Sequence, residues 1–275
     1  MPPTDASGDL DEQRIAGTSR IETLPIPGGK SSPSQGSSPT SQYLLLLCLT
    51  AGLIAGSISW GVEEVALRYF GPSYELKKEH ERSAAASGAE LARQRLEAMT
   101  RTAMTSSGLL GGLLGLGLGL AGGGVRGLWA RGATAGFLGL ILGGVACILP
   151  SWKLVPRYYV ELAAADDLIF PLKIHLGMWV SAGVAGGLAL AIGLGSWGQG
   201  IRAVLGGTLG AAFGIAFYEF LGAFAFPAAE TNLPLSLALG SRMTAHLAVA
   251  VFSALGAGGA AQFLTVSRER HGKLT

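Results

Sequence analysis

The chain has 275 residues, 49% of them hydrophobic and only 14% charged, with a formal net charge of +2. That composition is too apolar for an ordinary soluble domain of this length, and the small net charge says little about partners. The two cysteines, Cys48 and Cys147, sit inside separate apolar runs, so neither a disulfide framework nor a metal cluster is expected, and no cofactor is implied.

Residues 1–42 come first and are polar, with Ser31-Ser32-Pro33-Ser34 and Ser37-Ser38-Pro39-Thr40 among few apolar residues. Such a stretch cannot bury enough surface to fold, so it reads as a disordered tail. It is also too long for the charged leader of a cleaved signal peptide, so the apolar run after it is expected to be retained in the membrane. Helix one is predicted over 43–62, with Gly52 and Gly56 one turn apart on one face.

The connection 63–102 carries seven Glu against seven Lys or Arg. Glu90, Arg93, Glu97 and Arg101 alternate at helical spacing, and no Pro separates them from the next apolar run, so a charged helix outside the membrane is expected to continue into helix two as one rod. Its solvated face is the plainest reading; a docking surface for a protein partner is the sharper one, since balanced charge suits protein better than nucleic acid.

Helices two and three are predicted over 103–122 and 132–150, separated by a short turn with Arg126 and by Arg131 at the entry of helix three. Gly112 and Gly115 mark one face of helix two. On helix three Gly132, Gly136, Gly139 and Gly143 step by 4, 3 and 4, a heptad stripe without side chains. Lipid supplies no hydrophobic drive between helices, so small residues that let backbones approach take over that role. The connection 151–173 holds Trp152, Tyr158 and Tyr159 beside Lys153 and Arg157, a mixture suited to the headgroup level. Asp166 and Asp167 are adjacent there, so in a helix they point about 100° apart and do not form an acid–base pair by themselves.

Helices four, five and six are predicted over 174–194, 203–220 and 244–266, and a short polar tail, 267–275, follows. His175 and His246 stand at the starts of helices four and six, Arg202 at the entry of helix five. Glu219 is the one acid read inside an apolar run. Helix five repeats the glycine stripe with Gly207, Gly210 and Gly214. About 20 apolar residues span a bilayer as a helix, and Gly and Leu runs without two-residue alternation exclude a barrel.

A shift of 71 positions aligns 112–189 with 183–260 without a gap and gives 18 identities in 78 positions, including Arg131 with Arg202 and His175 with His246. Each copy contains two crossings, so the copies enter the membrane in the same direction: parallel repeats, unlike the inverted repeats of many transporters. The fold class is therefore an all-α integral membrane protein, six transmembrane helices arranged as three parallel-repeat hairpins with Gly-mediated packing. Helix one stands in for the missing second helix of the third copy. Three two-helix repeats resemble the plan of mitochondrial carriers, but no Pro-x-Asp/Glu-x-x-Lys/Arg pattern recurs at the ends of helices one, three and five, so no family is claimed.

There is no H-E-x-x-H, C-x-x-C or G-x-S-x-G, and glycine-rich strings lie in apolar helices rather than after a strand, so no enzyme is expected. Two functional readings remain. The first is a structural, assembly or partner-anchoring protein of the membrane, with the cell membrane as its expected location. The alternative is a small transporter or channel with an ion- or proton-linked site near Glu219 and His175 or His246, since intramembrane carboxylates mark such pathways and His titrates near neutrality. The alignment sets Glu219 against Ile148, near the end of helix three, which places the acid toward the interface. Arg131 and Arg202 read as orientation signals or lipid-headgroup contacts. Lys and Arg number 11 on one side and 7 on the side of the termini, a narrow margin toward termini outside.

Overall fold

The computed structural model describes residues 39–71, 84–161, 169–226, 231–236 and 238–262, with the backbone alone described for 39–41 and 84–87. The tail reading for 1–38, Asp166 and Asp167, residues 72–83 of the charged connection, and everything beyond 262 lie outside the described residues. Among the described residues the chain is all helical: α1 Pro39–Tyr69, α2 Ala84–Val125, α3 Trp129–Glu161, α4 Ile169–Leu194, α5 Trp197–Ala225 and α6 Leu239–Gln262. All six are long and apolar enough to cross a membrane. With 42 residues, α2 is about 63 Å long at 1.5 Å per residue, twice the hydrocarbon thickness.

Several helices outrun the apolar runs that announce them. α1 continues past position 62 to Tyr69, and α3 runs through both Pro150 and Pro156 instead of stopping at the first. A proline inside a helix removes one backbone donor, and a membrane helix tolerates this where hydroxyls from its neighbours hold the affected turn. Here Ser151 Oγ donates to the Cys147 carbonyl at 3.0 Å, and Ser107 of α2 reaches the same oxygen at 3.2 Å and the Ser151 hydroxyl at 2.7 Å. The proline turn of α3 is thereby tied to α2.

The helices sort into an inner and an outer set. In α2, α4 and α6, 61%, 56% and 44% of the membrane-length window is buried in the bundle, against 33%, 33% and 28% in α1, α3 and α5. α4 packs against α2, α3, α5 and α6, α2 against α1, α3, α4 and α6, and α1 bridges α2 and α6. The outer helices turn unbroken apolar stripes outward, as in Ile201, Leu205, Leu209, Phe213, Phe217, Phe220 and Phe224 of α5. Exposed stripes of this length need lipid against them.

Where the backbones meet most closely, glycine stands on one or both sides. A Cβ on Gly139 would fall 2.6 Å from the Gly115 carbonyl carbon, one on Gly136 2.9 Å from the Leu116 oxygen, one on Gly143 2.7 Å from the Gly111 carbonyl carbon, and one on Gly112 3.0 Å from the Leu140 oxygen, all between α2 and α3. The corresponding stripe on α5 faces other neighbours: Gly207 lies against Gly183 of α4, while Gly210 and Gly214 meet Phe252 and Ala248 of α6. The shared spacing thus specifies a small face and leaves its partner open. The short turns after α2 and α4 are made by Gly127 and Gly195 at φ +67° and +64°, a left-handed conformation that other residues resist.

Candidate functional site

At the end of the bundle where α1 finishes and α4 and α6 begin, ionisable side chains from four helices come together. Their meeting is set by glycine. On α1, Gly52, Gly56, Ser59 and Glu63 step by 4, 3 and 4, so they share one face. A Cβ on Gly52 would lie 2.9 Å from the Ala250 oxygen and one on Gly56 3.1 Å from the His246 oxygen, so the first two positions let α1 close onto α6. The next two then deliver their side chains to His246. Ser59 Oγ is 2.8 Å from His246 Nδ1, and Glu63 Oε2 is 2.7 Å from His246 Nε2. The latter contact is close but poorly aligned for a hydrogen bond. Both side chains are almost completely enclosed, at 1% and 2% exposure. The edge of Trp179 from α4 closes the site, its ring centroid 5.0 Å from that of His246.

A second pair forms 71 positions earlier on α4. His175 Nδ1 contacts Glu219 Oε1 of α5, and His175 Nε2 donates to the Leu233 carbonyl at 3.0 Å. His175 is buried, whereas the Glu219 side chain keeps 25% of its surface exposed. Beside it, Tyr218 Oη and Ser241 Oγ of α6 are 3.0 Å apart. Arg242, one turn before His246, grips Glu64 of α1 in a fork, Nε to Oε1 at 2.7 Å and Nη2 to Oε2 at 2.8 Å, and its Nη1 donates to the Ser236 carbonyl at 2.8 Å. Between the two pairs lies a cavity of about 20 Å³, lined among others by Glu63, His175, Trp179, Tyr218, Arg242 and His246. That is room for about one water molecule.

The structure brings His175, His246 and Glu219 to one end of the bundle and adds to them Glu63, the most buried acid there, which the sequence reading does not single out. Glu219 is not the only carboxylate within a membrane-length helix, because α1 carries Glu63 and Glu64 inside its last two turns. Ending helix one at position 62 assigns both acids to the charged connection. The seven-residue spacing from Gly56 to Glu63, with no Gly or Pro between Val62 and Tyr69, is the signal that would have found them.

Arg131 and Arg202 have partners within the chain. Arg131 Nε donates to the Ile192 carbonyl at 3.0 Å, capping the end of α4, and a Cβ on Gly195 would come within 2.6 Å of Arg131 Nη2. Arg202 Nε donates to Gly198 of its own helix at 2.8 Å. A cation against the last carbonyls of a helix also complements its dipole. Arg131→Ala is expected to cost about 1 kcal/mol, read as a lowered thermal midpoint in detergent, while Arg131→Lys restores part of it; an unchanged midpoint for the alanine variant would show the cap to be idle.

On the extended part of α2, Glu97 and Arg101 pair at 2.5 Å and Glu90 and Arg93 at 3.4 Å, all four side chains being more than half exposed. No group of three or more His, Cys, Asp or Glu side chains among the described residues could hold a metal ion. No protein-family model, characterised protein or solved structure matches the chain. The six apolar helices support a multi-pass integral membrane protein, and they are the basis for the class.

Proposed function

We propose that this protein is a membrane-embedded anchoring scaffold, built as three parallel-repeat hairpins held by glycine contacts, with the charged extension of α2 presented to a protein partner and no catalytic role. The observation that carries this reading is the filling of the core beneath the ionisable cluster. Leu110, Leu114 and Leu118 of α2 recur every fourth residue with no exposed surface, and Met178 and Leu190 of α4 are equally enclosed. A conduit needs polar groups or irregular backbone at mid-depth. Polar side chains such as Ser59, Thr102 and Ser106 gather at the end that holds the His–Glu pairs, with Ser253 of α6 a single buried hydroxyl deeper in the bundle, and the leucine column follows them.

Two measurements test the reading together. Proteoliposomes of the full chain are expected to show no proton or potassium flux above protein-free vesicles, with Glu219→Gln the same. A photocrosslinker at Arg93 or Glu97 is expected to yield discrete adducts in native membranes, and one at the outward-facing Phe213 none. Flux that Glu219→Gln removes would replace the scaffold with the transporter reading, and absence of adducts at both α2 positions would remove the partner.

A further inference from the structure

We infer that the outward face of α4, between α3 and α5, is a binding groove for one anionic phospholipid, with the lipid phosphate on Arg131 and an acyl chain along Leu188 and Ile192. The inference goes beyond the scaffold reading, does not depend on it, and starts from helix register. A Cβ on Gly139 of α3 would fall 2.7 Å from the Ala189 Cβ, so Ala189 marks the α3 side of α4. A Cβ on Gly187 would fall 2.6 Å from the Ala203 oxygen, and one on Gly200 2.9 Å from the Ala191 Cβ, so Gly187 and Ala191 mark its α5 side. At about 100° per residue, Leu188 and Ile192 fall on the arc between those two sides. Both are open, at 45% and 37% exposure, whereas α2 and α6 pack against the rest of the helix.

The neighbouring helices wall this strip with apolar side chains. On α3, Arg131 reaches across to the last turn of α4, so its face adjoins the groove. Leu138 and Leu142 stand seven and eleven residues further along that same face, the second about 16 Å from Arg131 along the axis, and both are exposed. On α5, Gly200, Ala203 and Gly207 meet α4, while Gly206 and Gly210 meet α6. Trp197 and Ile201 lie across the α4 line from α6, toward the groove, and keep 90% and 60% of their surface open. A trough of this length with an aromatic ring at its mouth suits an acyl chain beneath a headgroup.

Charge selects the occupant. From Thr102 to Trp152 the sequence carries Arg126, Arg131 and no acid, and from Ile174 to Tyr218 it carries Arg202 and no acid. Among the described residues, the end that holds both short turns thus has three guanidiniums and no carboxylate. Arg126 Nη2 donates to the neutral Gln199 Oε1 at 2.8 Å. Arg131 spends Nε on the Ile192 carbonyl at 3.0 Å, which leaves its Nη groups without an acceptor among the described residues. Gly195, with no Cβ, gives that guanidinium room and holds it beside the end of α4. A positioned fork of donors without a counter-charge matches the oxygens of a phosphate. At the opposite end Arg101, Arg157 and Arg242 each face a Glu. A zwitterionic headgroup carries its own cation and gains less from an unmatched guanidinium, so an anionic lipid is the better fit.

The test uses the full chain in detergent with equimolar phosphatidylglycerol and phosphatidylcholine, and native mass spectrometry counts the lipids each protein molecule keeps. The wild type is expected to keep one phosphatidylglycerol in preference to phosphatidylcholine. Arg131→Gln is expected to lower that preference about fivefold, the effect of one cation at an anionic headgroup. Arg202→Gln removes the same charge at the same end, but Arg202 folds back onto Gly198 of its own helix, so this variant is expected to keep the preference. Equal losses in the two variants, or no loss in Arg131→Gln, overturn the site. Leu188→Gln is expected to lower phosphatidylglycerol retention with every arginine in place, and unchanged retention overturns the groove. Displacement of the lipid by excess soluble glycerol phosphate also overturns it, since a free anion then binds without a chain. A second measurement leaves the arginines untouched. In vesicles, brominated acyl chains quench nearby tryptophan, and the share of quenching lost in Trp197→Phe is expected to be larger with brominated phosphatidylglycerol than with brominated phosphatidylcholine. Equal shares overturn the proposal.

Discussion

Gly139→Leu is expected to abolish the folded bundle, and even Gly139→Ala is expected to lower its stability by about 1–3 kcal/mol. A Cβ at this position would meet the Gly115 carbonyl carbon and oxygen at 2.6 Å and the Ala189 Cβ at 2.7 Å. The first two are backbone atoms of α2 and the third is fixed to the backbone of α4. No flexible side-chain end is available to move aside, so the whole of α3 must withdraw. Its withdrawal would also part Ser107 from Ser151 and undo the support around Pro150. Gly61 provides the internal comparison, because a Cβ there meets nothing within 4 Å. Helix propensity alone acts at that position, so Gly61→Ala is expected to gain up to about 1 kcal/mol. Thermal unfolding in detergent, followed by size-exclusion homogeneity, separates the two. Equal midpoints for Gly139→Ala and Gly61→Ala would mean that the helices give way freely and that close backbone contact does not hold the bundle.

The six helices were legible from charge silence and hydropathy because those signals register lipid directly. Their ends were not. Hydropathy ends helix one at the first acid, yet Glu63 and Glu64 stay helical, since each finds a partner on α6 that no local window contains. Pro150 ends helix three by local rules, and hydroxyls, one of them 44 positions away in the chain, hold the turn. The glycine stripes mark faces without side chains. Which helix each would meet was not legible, because the identical spacing on α3 and α5 is filled from α2 in one case and from α4 and α6 in the other. Of the cluster, His175, His246 and Glu219 stand out in the sequence by residue type. Leu233 was out of reach, since its contribution is a backbone carbonyl and nothing in a leucine side chain marks it.

Arg242→Ala is expected to be the most damaging single change of a charged residue, at about 3 kcal/mol. The fork between Arg242 and Glu64 has two near-parallel contacts, at 2.7 and 2.8 Å, with side chains only 10% and 18% exposed. Removing the guanidinium leaves the Glu64 carboxylate largely desolvated without its counter-charge and releases the Ser236 carbonyl. Replacing both partners with apolar residues, Arg242→Met with Glu64→Leu, leaves no such orphan and is expected to recover most of the loss. The exposed Arg93 and Glu90 pair gives the contrast, since its removal is expected to change stability by less than about 0.5 kcal/mol. A double-mutant cycle on thermal or denaturant unfolding measures the coupling, and additive losses at Arg242 and Glu64 would show that the fork stores none. The consequence reaches the histidines. Arg242 also holds the Ser236 carbonyl, three residues from the Leu233 oxygen that accepts from His175 Nε2, so its loss loosens the backbone that carries that acceptor.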